Sequence, residues 1–328
     1  MHILIIGAGG MVGRKLTTAL LASGKLSGQA ITRLTLADVF APEAPGGSIV
    51  STVVAADLSQ PGAAKQLVAD RPDVIFHLAA IVSGEAEADF EKGYRINLDG
   101  SRLLFEAIRL ASATERYYPR VVFTSSIAVF GEPLPGVIGD THERTPLTSY
   151  GTQKAICELL LADYSRRGFF DGVGIRLPTI AVRPGKPNKA ASGFFSGIIR
   201  EPLAGMAAIL PVADSVRHWF ASPRAAVGFL IHAAEIDTTL LDNRRSLSMP
   251  GLAATVGEQI AALERVAGPK AVALIKREAN QTIIDIVAGW PQAFDAQRAY
   301  GLGFRGEQSF DEIIRIHIED ELGGKIGG

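Results

Sequence analysis

The chain has 328 residues, a hydrophobic content of 47% and a formal net charge of −1. Its length suits a large α/β domain with a smaller one, and a near-neutral charge without a basic stripe argues against a nucleic-acid partner. No apolar run approaches the roughly 18 residues of a membrane span, and we expect no signal peptide because a strand is predicted from residue 2. Cys157 is the only cysteine, which excludes an intrachain disulfide. We expect a cytoplasmic protein without a metal site.

The first predicted elements are a strand, a glycine turn and a helix. Residues 2–6 form a short apolar run typical of a buried parallel strand. Gly7 would permit a tight turn, Gly10 a close approach of a pyrophosphate to the backbone, and Gly13 close helix packing. The spacing differs from Gly-x-Gly-x-x-Gly, and an ordinary strand–helix turn is the alternative. The predicted cofactor contacts in this turn are Gly7, Gly10, Met11, Val12 and Gly13.

Acidic residues follow the next two predicted strands. Asp38 closes the run 33–38, where a carboxylate would bind the adenosine ribose and repel the 2′-phosphate of NADP. The alternative is a turn or cap aspartate. Asp57 and Leu58 follow the predicted strand 50–55, and Asp57 would either contact the adenine or cap the helix entered near Pro61.

The following elements predict further cofactor contacts. Residues 73–78 form a fourth strand that ends at Leu78, and the small residues Ala79 and Ala80 would let a cofactor approach the backbone. Asn97 lies in a predicted helix over 94–110. The strand 120–125 delivers Ser126 at its carboxyl end, where open α/β sheets bind their ligands.

Tyr150 and Lys154 are four residues apart, which places them one turn apart on the same face of a helix. A nearby ammonium favours the phenolate of a tyrosine, whose free pKa is about 10. The pair could therefore supply a base near neutral pH. Taken alone, such a pair is most often a surface feature.

Beyond Pro178 the alternation of strand and helix becomes irregular. We predict helices over 223–234, 257–267, 285–289 and 310–322, and a returning strand over 245–249. The fold class is therefore α/β, a doubly wound parallel Rossmann sheet with a smaller, interleaved C-terminal substrate domain. Residues 1–182 would form the dinucleotide-binding domain, together with the returning strand, and residues 183–328 mainly the substrate-binding domain.

These motifs together resemble the extended short-chain dehydrogenase/reductases, the superfamily that includes nucleotide-sugar epimerases and dehydratases. The resemblance implies NAD as cofactor, Tyr150 as catalytic acid/base, Ser126 as the group that orients the substrate oxygen, and Lys154 as a ribose ligand that lowers the pKa of the tyrosine. The matching pieces are Gly7-x-x-Gly10-x-x-Gly13, Asp38, Asp57-Leu58, His77-Leu-Ala-Ala80, Asn97, the segment 125–131, Tyr150-x-x-x-Lys154 and Arg176-Leu-Pro178.

A closer likeness within the superfamily is to the D-erythronate dehydrogenases. It implies oxidation of the C2 hydroxyl of a small sugar acid to a 2-keto acid. Thr179 stands where many epimerases carry an Asn that holds the nucleotide diphosphate. The segments that carry this likeness are 81–90, 177–188, 197–203, 222–224 and 289–291.

A hydroxy acid needs a cation for its carboxylate, and Arg183 and Arg217 both follow predicted strand ends. Each could instead be a surface charge. Ser83 and His218 could meet substrate hydroxyls, whereas we expect core packing for Trp219 and solvated loop charges for Lys186 and Lys189. The predicted substrate contacts are Ser83, Ser126, Thr179, Arg183 and Arg217.

Other functions remain open. A nucleotide-sugar 4-epimerase would use the same serine, tyrosine and lysine with tightly held NAD. A 4,6-dehydratase fits less well because Ile127-Ala128 replaces the acidic pair usual there, and a non-catalytic sensor would be expected to lose Tyr150 or Lys154. We also expect a homodimer formed by the helices of Asn97 and Tyr150, through Leu103, Leu104, Ala107, Ile156, Leu160 and Leu161.

Overall fold

The computed structural model describes residues 1–113, 115–185 and 191–327, which form two compact units. Unit 1 consists of Met1–Val129, Thr148–Arg176 and Val227–Leu247. Unit 2 consists of Phe130–Leu147, Leu177–Ala226 and Ser248–Gly328, described as far as residue 327 and without residues 186–190. The chain thus passes between the units several times. The functional division at residue 182 remains a proposal.

Unit 1 is built on a seven-stranded parallel sheet, which confirms the predicted doubly wound α/β class. The first strand lies inside the sheet, next to the central strand Val74–His77, because its five residues, His2–Ile6, are almost wholly apolar and buried. It pairs with the second and fourth main strands, so that Ile3 lies opposite both Leu34 and Val74. In spatial order the strands are Ser246–Ser248, Asp171–Leu177, Arg120–Ser126, Val74–His77, His2–Ile6, Arg33–Asp38 and Val50–Ala55.

The helices of unit 1 lie between these strands in the chain. The π-helix at Tyr94–Asp99 interrupts the single helix that was predicted over 94–110, so Asn97 lies in a widened turn. Further short elements are the strands Lys25–Leu26 and Gln29–Ala30 and the 3₁₀ turns Ile127–Val129 and Thr238–Leu241. The helices are Met11–Ser23, Ala63–Val68, Ser83–Ala88, Phe90–Gly93, Gly100–Ala111, Ser149–Arg166 and Pro223–Glu235, the last of which begins in unit 2.

The packing of unit 1 corrects part of the predicted dimer surface. Leu104 and Leu161 are fully buried in the core of this unit, together with Phe105 and Phe123, because they face the sheet. They therefore cannot contribute to a subunit interface. Leu103, Ala107 and Leu160 only border this core, and Ile156 is half-buried.

Unit 2 combines small sheets with helices around its own core. Thr179–Ile180 pairs parallel with Arg217–Ala221, which pairs antiparallel with Leu252–Thr255. Two further strand pairs join Ala208–Leu210 to Ile275–Arg277 and Ile138–Gly139 to Phe294–Asp295. Its helices are Gly193–Leu203, Val256–Ala267, Pro269–Val272, Gln281–Ala288, Gln297–Gly301 and Phe310–Leu322.

The core of unit 2 is apolar and rich in aromatic residues. Phe195, Phe220 and Phe310 are buried there. Trp219 is 6% exposed, which confirms the packing role predicted for it. None of the described helices is long and apolar enough to cross a bilayer.

Candidate active site

The glycine turn of unit 1 fits a bound phosphate group. Gly7 has φ +90°, and a Cβ there would lie 2.7 Å from the Ala79 nitrogen; a Cβ at Gly13 would lie 2.2 Å from the Gly7 oxygen. Helix Met11–Ser23 begins after Gly10 with no side-chain cap and no acidic residue in its first turn, all of which the structure describes. Its first amide groups therefore remain available to an anion such as a pyrophosphate.

Asp38 is held against this turn. Its carboxylate accepts hydrogen bonds from the Gly9 nitrogen at 2.9 Å and from the Val39 nitrogen at 2.7 Å. These contacts fix the carboxylate at the carboxyl end of strand Arg33–Asp38, where a dinucleotide's adenosine ribose binds in folds of this kind. The ribose contact itself stays a prediction.

Asp57 does not cap the helix that follows it. That helix begins at Ala63 after Gly62, and Asp57 instead accepts hydrogen bonds from the Ser59 nitrogen and hydroxyl at 2.9 and 2.7 Å. The capping interpretation is therefore wrong, and the adenine contact remains a prediction. The neighbouring Leu58 is 7% exposed and packs in the core of unit 1.

Gln153 is a residue whose importance the sequence did not suggest. The Asn97 amide nitrogen donates to the Gln153 side-chain oxygen at 2.8 Å, and the Asn97 side-chain oxygen accepts from the Ile81 nitrogen at 2.9 Å. Asn97 thus links the Tyr150 helix, Ser149–Arg166, to the segment after Leu78, Ala79 and Ala80. A glutamine between Tyr150 and Lys154 looks like a spacer in the sequence, so no signal pointed to this link.

Ser126 and Tyr150 come together at the carboxyl end of strand Arg120–Ser126. The Ser126 hydroxyl is hydrogen-bonded with the Tyr150 phenol and accepts from the Ala128 nitrogen at 3.1 Å. The neighbouring Ser125 hydroxyl instead donates to the buried Glu158 carboxylate at 2.6 Å. The Ser125 hydroxyl is therefore already used in a buried hydrogen bond, which supports the choice of Ser126 as the catalytic serine.

The electrostatics of the tyrosine differ from the expectation. Burial raises the pKa of Tyr150 to about 12, although hydrogen bonding with Ser126 opposes the shift. The Lys154 ammonium lies 5.7 Å from the Tyr150 ring centroid, but it donates to the Thr124 carbonyl at 2.8 Å and lies closer, at 4.8 Å, to the Phe123 ring centroid. Burial lowers the pKa of Lys154 to about 8. Burial thus opposes the ionisation of Tyr150 and also disfavours the charged form of Lys154.

Of the predicted substrate contacts, Thr179, Arg183 and Arg217 belong to unit 2. The Thr179 hydroxyl is hydrogen-bonded to His218 Nε2 at 2.7 Å. Arg183 donates to the Ser192 hydroxyl at 3.1 Å. Arg217 is 3.5 Å from Glu258, and both side chains are exposed in part. The interpretation of His218 as a substrate contact is wrong, since it is 2% exposed and both ring nitrogens have protein partners.

The remaining predicted site residues belong partly to unit 1 and partly to unit 2. Ser83 is half-buried at the start of the short helix Ser83–Ala88 of unit 1. Pro178 is buried in unit 2 beside Thr179. Lys186 and Lys189 lie outside the described residues.

The dinucleotide turn, the fixed acid after the second main strand and the Ser126–Tyr150–Lys154 group define an NAD-dependent oxidoreductase of the extended short-chain dehydrogenase type. Gly7, Gly10, Gly13 and Asp38 fit that cofactor. The chain belongs to the NAD dependent epimerase/dehydratase family, whose model matches residues 3–237.

Several known proteins are similar over nearly the full length. The D-erythronate dehydrogenase of Cupriavidus necator is 50% identical over 324 residues, 98% of each chain. The D-erythronate dehydrogenase of Haemophilus influenzae is 40% identical over 322 residues, 98% of this chain and 100% of that protein. A crystal structure described as the nucleoside-diphosphate-sugar epimerase from Agrobacterium tumefaciens is 68% identical, with a TM-score of 0.97, covering 99% of this chain and 95% of that one.

Proposed function

We propose that the protein oxidises the C2 hydroxyl of a small sugar acid, D-erythronate or a close relative, to the 2-keto acid with NAD. The full-length similarity to two enzymes named D-erythronate dehydrogenase supports this substrate class. The single structural observation that carries the proposal is the environment of Arg183, a cation suited to a substrate carboxylate.

Arg183 is half-buried, and none of the residues that the structure describes provides it with a counter-ion. Burial lowers the pKa of its guanidinium, and the charge of Arg200 lowers it further. Arg200 donates to the Arg183 carbonyl at 2.7 Å and is itself ion-paired with Glu201. Within the described residues no carboxylate forms an ion pair with Arg183, which donates to the Ser192 hydroxyl. A carboxylate ligand would neutralise this charge and accept paired hydrogen bonds from the guanidinium.

Arg217 is the weaker candidate for the same role. Its side chain is 38% exposed, and the Glu258 carboxylate lies 3.5 Å away. Glu258 also accepts from the Thr255 nitrogen in the capping box of helix Val256–Ala267. A substrate carboxylate at Arg217 would therefore compete with a carboxylate that is already fixed in place.

The reacting hydroxyl would bind to Ser126 and Tyr150. Ser126 orients the hydroxyl, and Tyr150 as phenolate takes its proton. Bound NAD would supply the acceptor for the hydride of C2 and the positive charge of the nicotinamide ring. The products are a 2-keto acid, NADH and one proton. Lys154 binds the ribose in this scheme, while Gly7, Gly10, Met11, Val12, Gly13, Asp38, Asp57, Leu58, Leu78, Ala79, Ala80 and Pro178 complete the proposed cofactor contacts. Asn97 is 2% exposed and its side chain is hydrogen-bonded to Ile81 and Gln153, so it acts by holding the segment after Ala80 in place and not as a direct cofactor contact.

A nucleotide-sugar 4-epimerase is the second candidate. The name of the 68% identical crystal structure favours it, and the same serine, tyrosine and lysine could serve it. Such an enzyme would return the hydride to the opposite face of the sugar and release no NADH. Its substrates have no carboxylate next to the reacting carbon C4 and carry a nucleoside diphosphate at the distant C1.

The two functions are separated by incubating purified protein with NAD and either a panel of aldonates or UDP-glucose. We expect absorbance from NADH with D-erythronate and no conversion of UDP-glucose to UDP-galactose. Tyr150→Phe should abolish the signal and so exclude a contaminating dehydrogenase. Epimerisation of UDP-glucose with inert aldonates would establish the second candidate instead.

We also propose a cytoplasmic homodimer. Leu159 and Leu110 are 56% and 53% exposed on the two helices expected to pair across a two-fold axis. Together with the half-buried Leu103, Ile156 and Leu160 they would give an apolar interface. Light scattering at micromolar concentration should give twice the mass of one chain.

A further inference from the structure

A buried histidine of unit 2 has both ring nitrogens engaged. His218 lies on strand Arg217–Ala221 and is 2% exposed. Its ring stacks on Phe195, with centroids 5.4 Å apart and planes 6° apart. Nδ1 is 2.8 Å from the Pro291 carbonyl oxygen, and Nε2 is 2.7 Å from the Thr179 hydroxyl. The ring is therefore held in one orientation.

These contacts determine which nitrogen carries the proton. A carbonyl oxygen can only accept, so Nδ1 must donate to Pro291. Burial lowers the pKa of His218 to about 4, against the opposing effect of the Pro291 hydrogen bond, so the ring is neutral at pH 7 and holds one proton. Nε2 is then an acceptor, and the Thr179 hydroxyl must donate to it.

The Thr179 oxygen is thereby left with lone pairs only. Thr179 is half-buried, and this is the one hydrogen bond its hydroxyl makes within the part of the chain that the structure describes. We propose that His218 is a positioning residue that fixes Thr179 as a hydrogen-bond acceptor, so that Thr179 selects a hydroxyl group of the substrate over a carbonyl or carboxylate oxygen. The proposal deepens the proposed function and rests on it, because Thr179 is taken as a substrate contact.

The tautomer can be measured without any substrate. In the protein labelled with ¹⁵N-histidine, the signals lost in His218→Phe identify His218. We expect its Nδ1 to carry the proton and its Nε2 to show the shift of an unprotonated nitrogen at pH 7. His77 of unit 1 is a matched control: its Nε2 lies 2.9 Å from the Ser101 hydroxyl, which donates to the Asn97 carbonyl, so His77 should be protonated on Nε2. A proton on Nε2 of His218 would overturn the proposal.

Recognition is tested with D-erythronate and its 3-deoxy and 4-deoxy analogues. The native enzyme should prefer D-erythronate to the analogue that lacks the contacted hydroxyl. Thr179→Val should lower kcat/KM for D-erythronate roughly five- to tenfold, as expected for one hydrogen bond, and leave that analogue nearly unchanged. Thr179→Ser should keep the preference. His218→Phe, which retains the aromatic ring, should reduce the preference, and the double variant should be no worse than Thr179→Val.

Equal losses for all three acids, or additive losses in the double variant, would contradict the selection of a hydroxyl. Thermal unfolding checks that each variant folds. If His218→Phe does not fold, the comparison of Thr179→Val with Thr179→Ser still decides whether the hydroxyl is selected. If no sugar acid is oxidised, the proposed function fails, while the tautomer measurement still decides whether Thr179 is a fixed acceptor.

Discussion

Two arginines seven positions apart in the chain have opposite electrostatic environments. In unit 1, Arg176 donates to both oxygens of the buried Glu158 at 2.8 and 2.7 Å, and Glu158 also accepts from Ser125. In unit 2, the Arg183 side chain donates to the uncharged Ser192 hydroxyl, and no described carboxylate is paired with it. A neutralised buried pair maintains structure, because removing either partner leaves an uncompensated charge. The charge of a cation without a counter-ion is not neutralised by the protein, so it can form an ion pair with an anionic ligand. In the proposed function, unit 1 supplies the chemistry and unit 2 recognises the acid, and this contrast is the reason for that proposal.

The sharpest test of the unit 1 assignment is Tyr150→Phe. Removing the ionisable oxygen should lower kcat by about 10² to 10⁴-fold, the usual contribution of a general base. Affinity for NAD, measured by calorimetry, should change little, because the phenyl ring remains. Tyr164→Phe on the same helix, where the hydroxyl bonds Glu106, is the control and should keep native turnover. Near-native turnover in Tyr150→Phe would show that Tyr150 is not the general base.

Arg183→Gln and Arg217→Gln test the unit 2 assignment side by side. Loss of a buried charged contact typically costs about 2–5 kcal/mol, so kcat/KM for the acid should fall by about thirty- to several thousandfold in the Arg183 variant. The Arg217 variant should change it by a few-fold at most, since Glu258 already neutralises that charge. NAD affinity should be native in both. A larger loss of kcat/KM in the Arg217 variant than in the Arg183 variant would contradict the assignment. It would show that the more exposed arginine, and not the one without a described counter-ion, binds the substrate carboxylate.

Asp38→Ala tests the cofactor part of unit 1. The variant loses the carboxylate that would bind the ribose of NAD and repel the 2′-phosphate of NADP. The preference should therefore shift toward NADP by about ten- to a hundredfold. The ratio of kcat/KM for the two cofactors measures this shift. A native enzyme that already prefers NADP would show that Asp38 has another role.

The pH dependence tests the state of the base. Because burial raises the pKa of Tyr150 to about 12, its phenolate becomes more abundant as pH rises. kcat/KM for oxidation should therefore increase with pH, by up to about tenfold per unit well below the pKa of the base in the NAD complex. The reverse reduction, which needs the protonated phenol, should not show this increase. A flat profile for oxidation between pH 6 and 9 would mean that proton transfer does not limit the reaction.

Unit 1 was largely predictable, because its motifs are short and local. Gly7 to Gly13, Asp38, Ser126 and the Tyr150–Lys154 pair each follow a strand or share a helix turn, and the parallel sheet follows from alternating apolar runs. The pKa of Tyr150 was not predictable, since it depends on burial and on the direction in which Lys154 points.

Unit 2 was much harder to predict. The hydrogen-bonded chain from Pro291 through His218 to Thr179 joins residues far apart in sequence, and no spacing rule connects them. Arg183 and Arg217 are the same residue type, and only their surroundings in the fold distinguish them.

In unit 1, the π-helix at Asn97 was also missed, because its composition is that of an ordinary helix.

The central claim, oxidation at C2 with transfer of the hydride to NAD, is tested most directly with [2-²H]-D-erythronate. Mass spectrometry of the cofactor should find the deuterium in the reduced nicotinamide, one for each 2-keto acid formed, with a slower rate than for the unlabelled acid if hydride transfer limits turnover. Deuterium that stays in the organic acid while NADH accumulates would place the oxidation at another carbon and contradict the account.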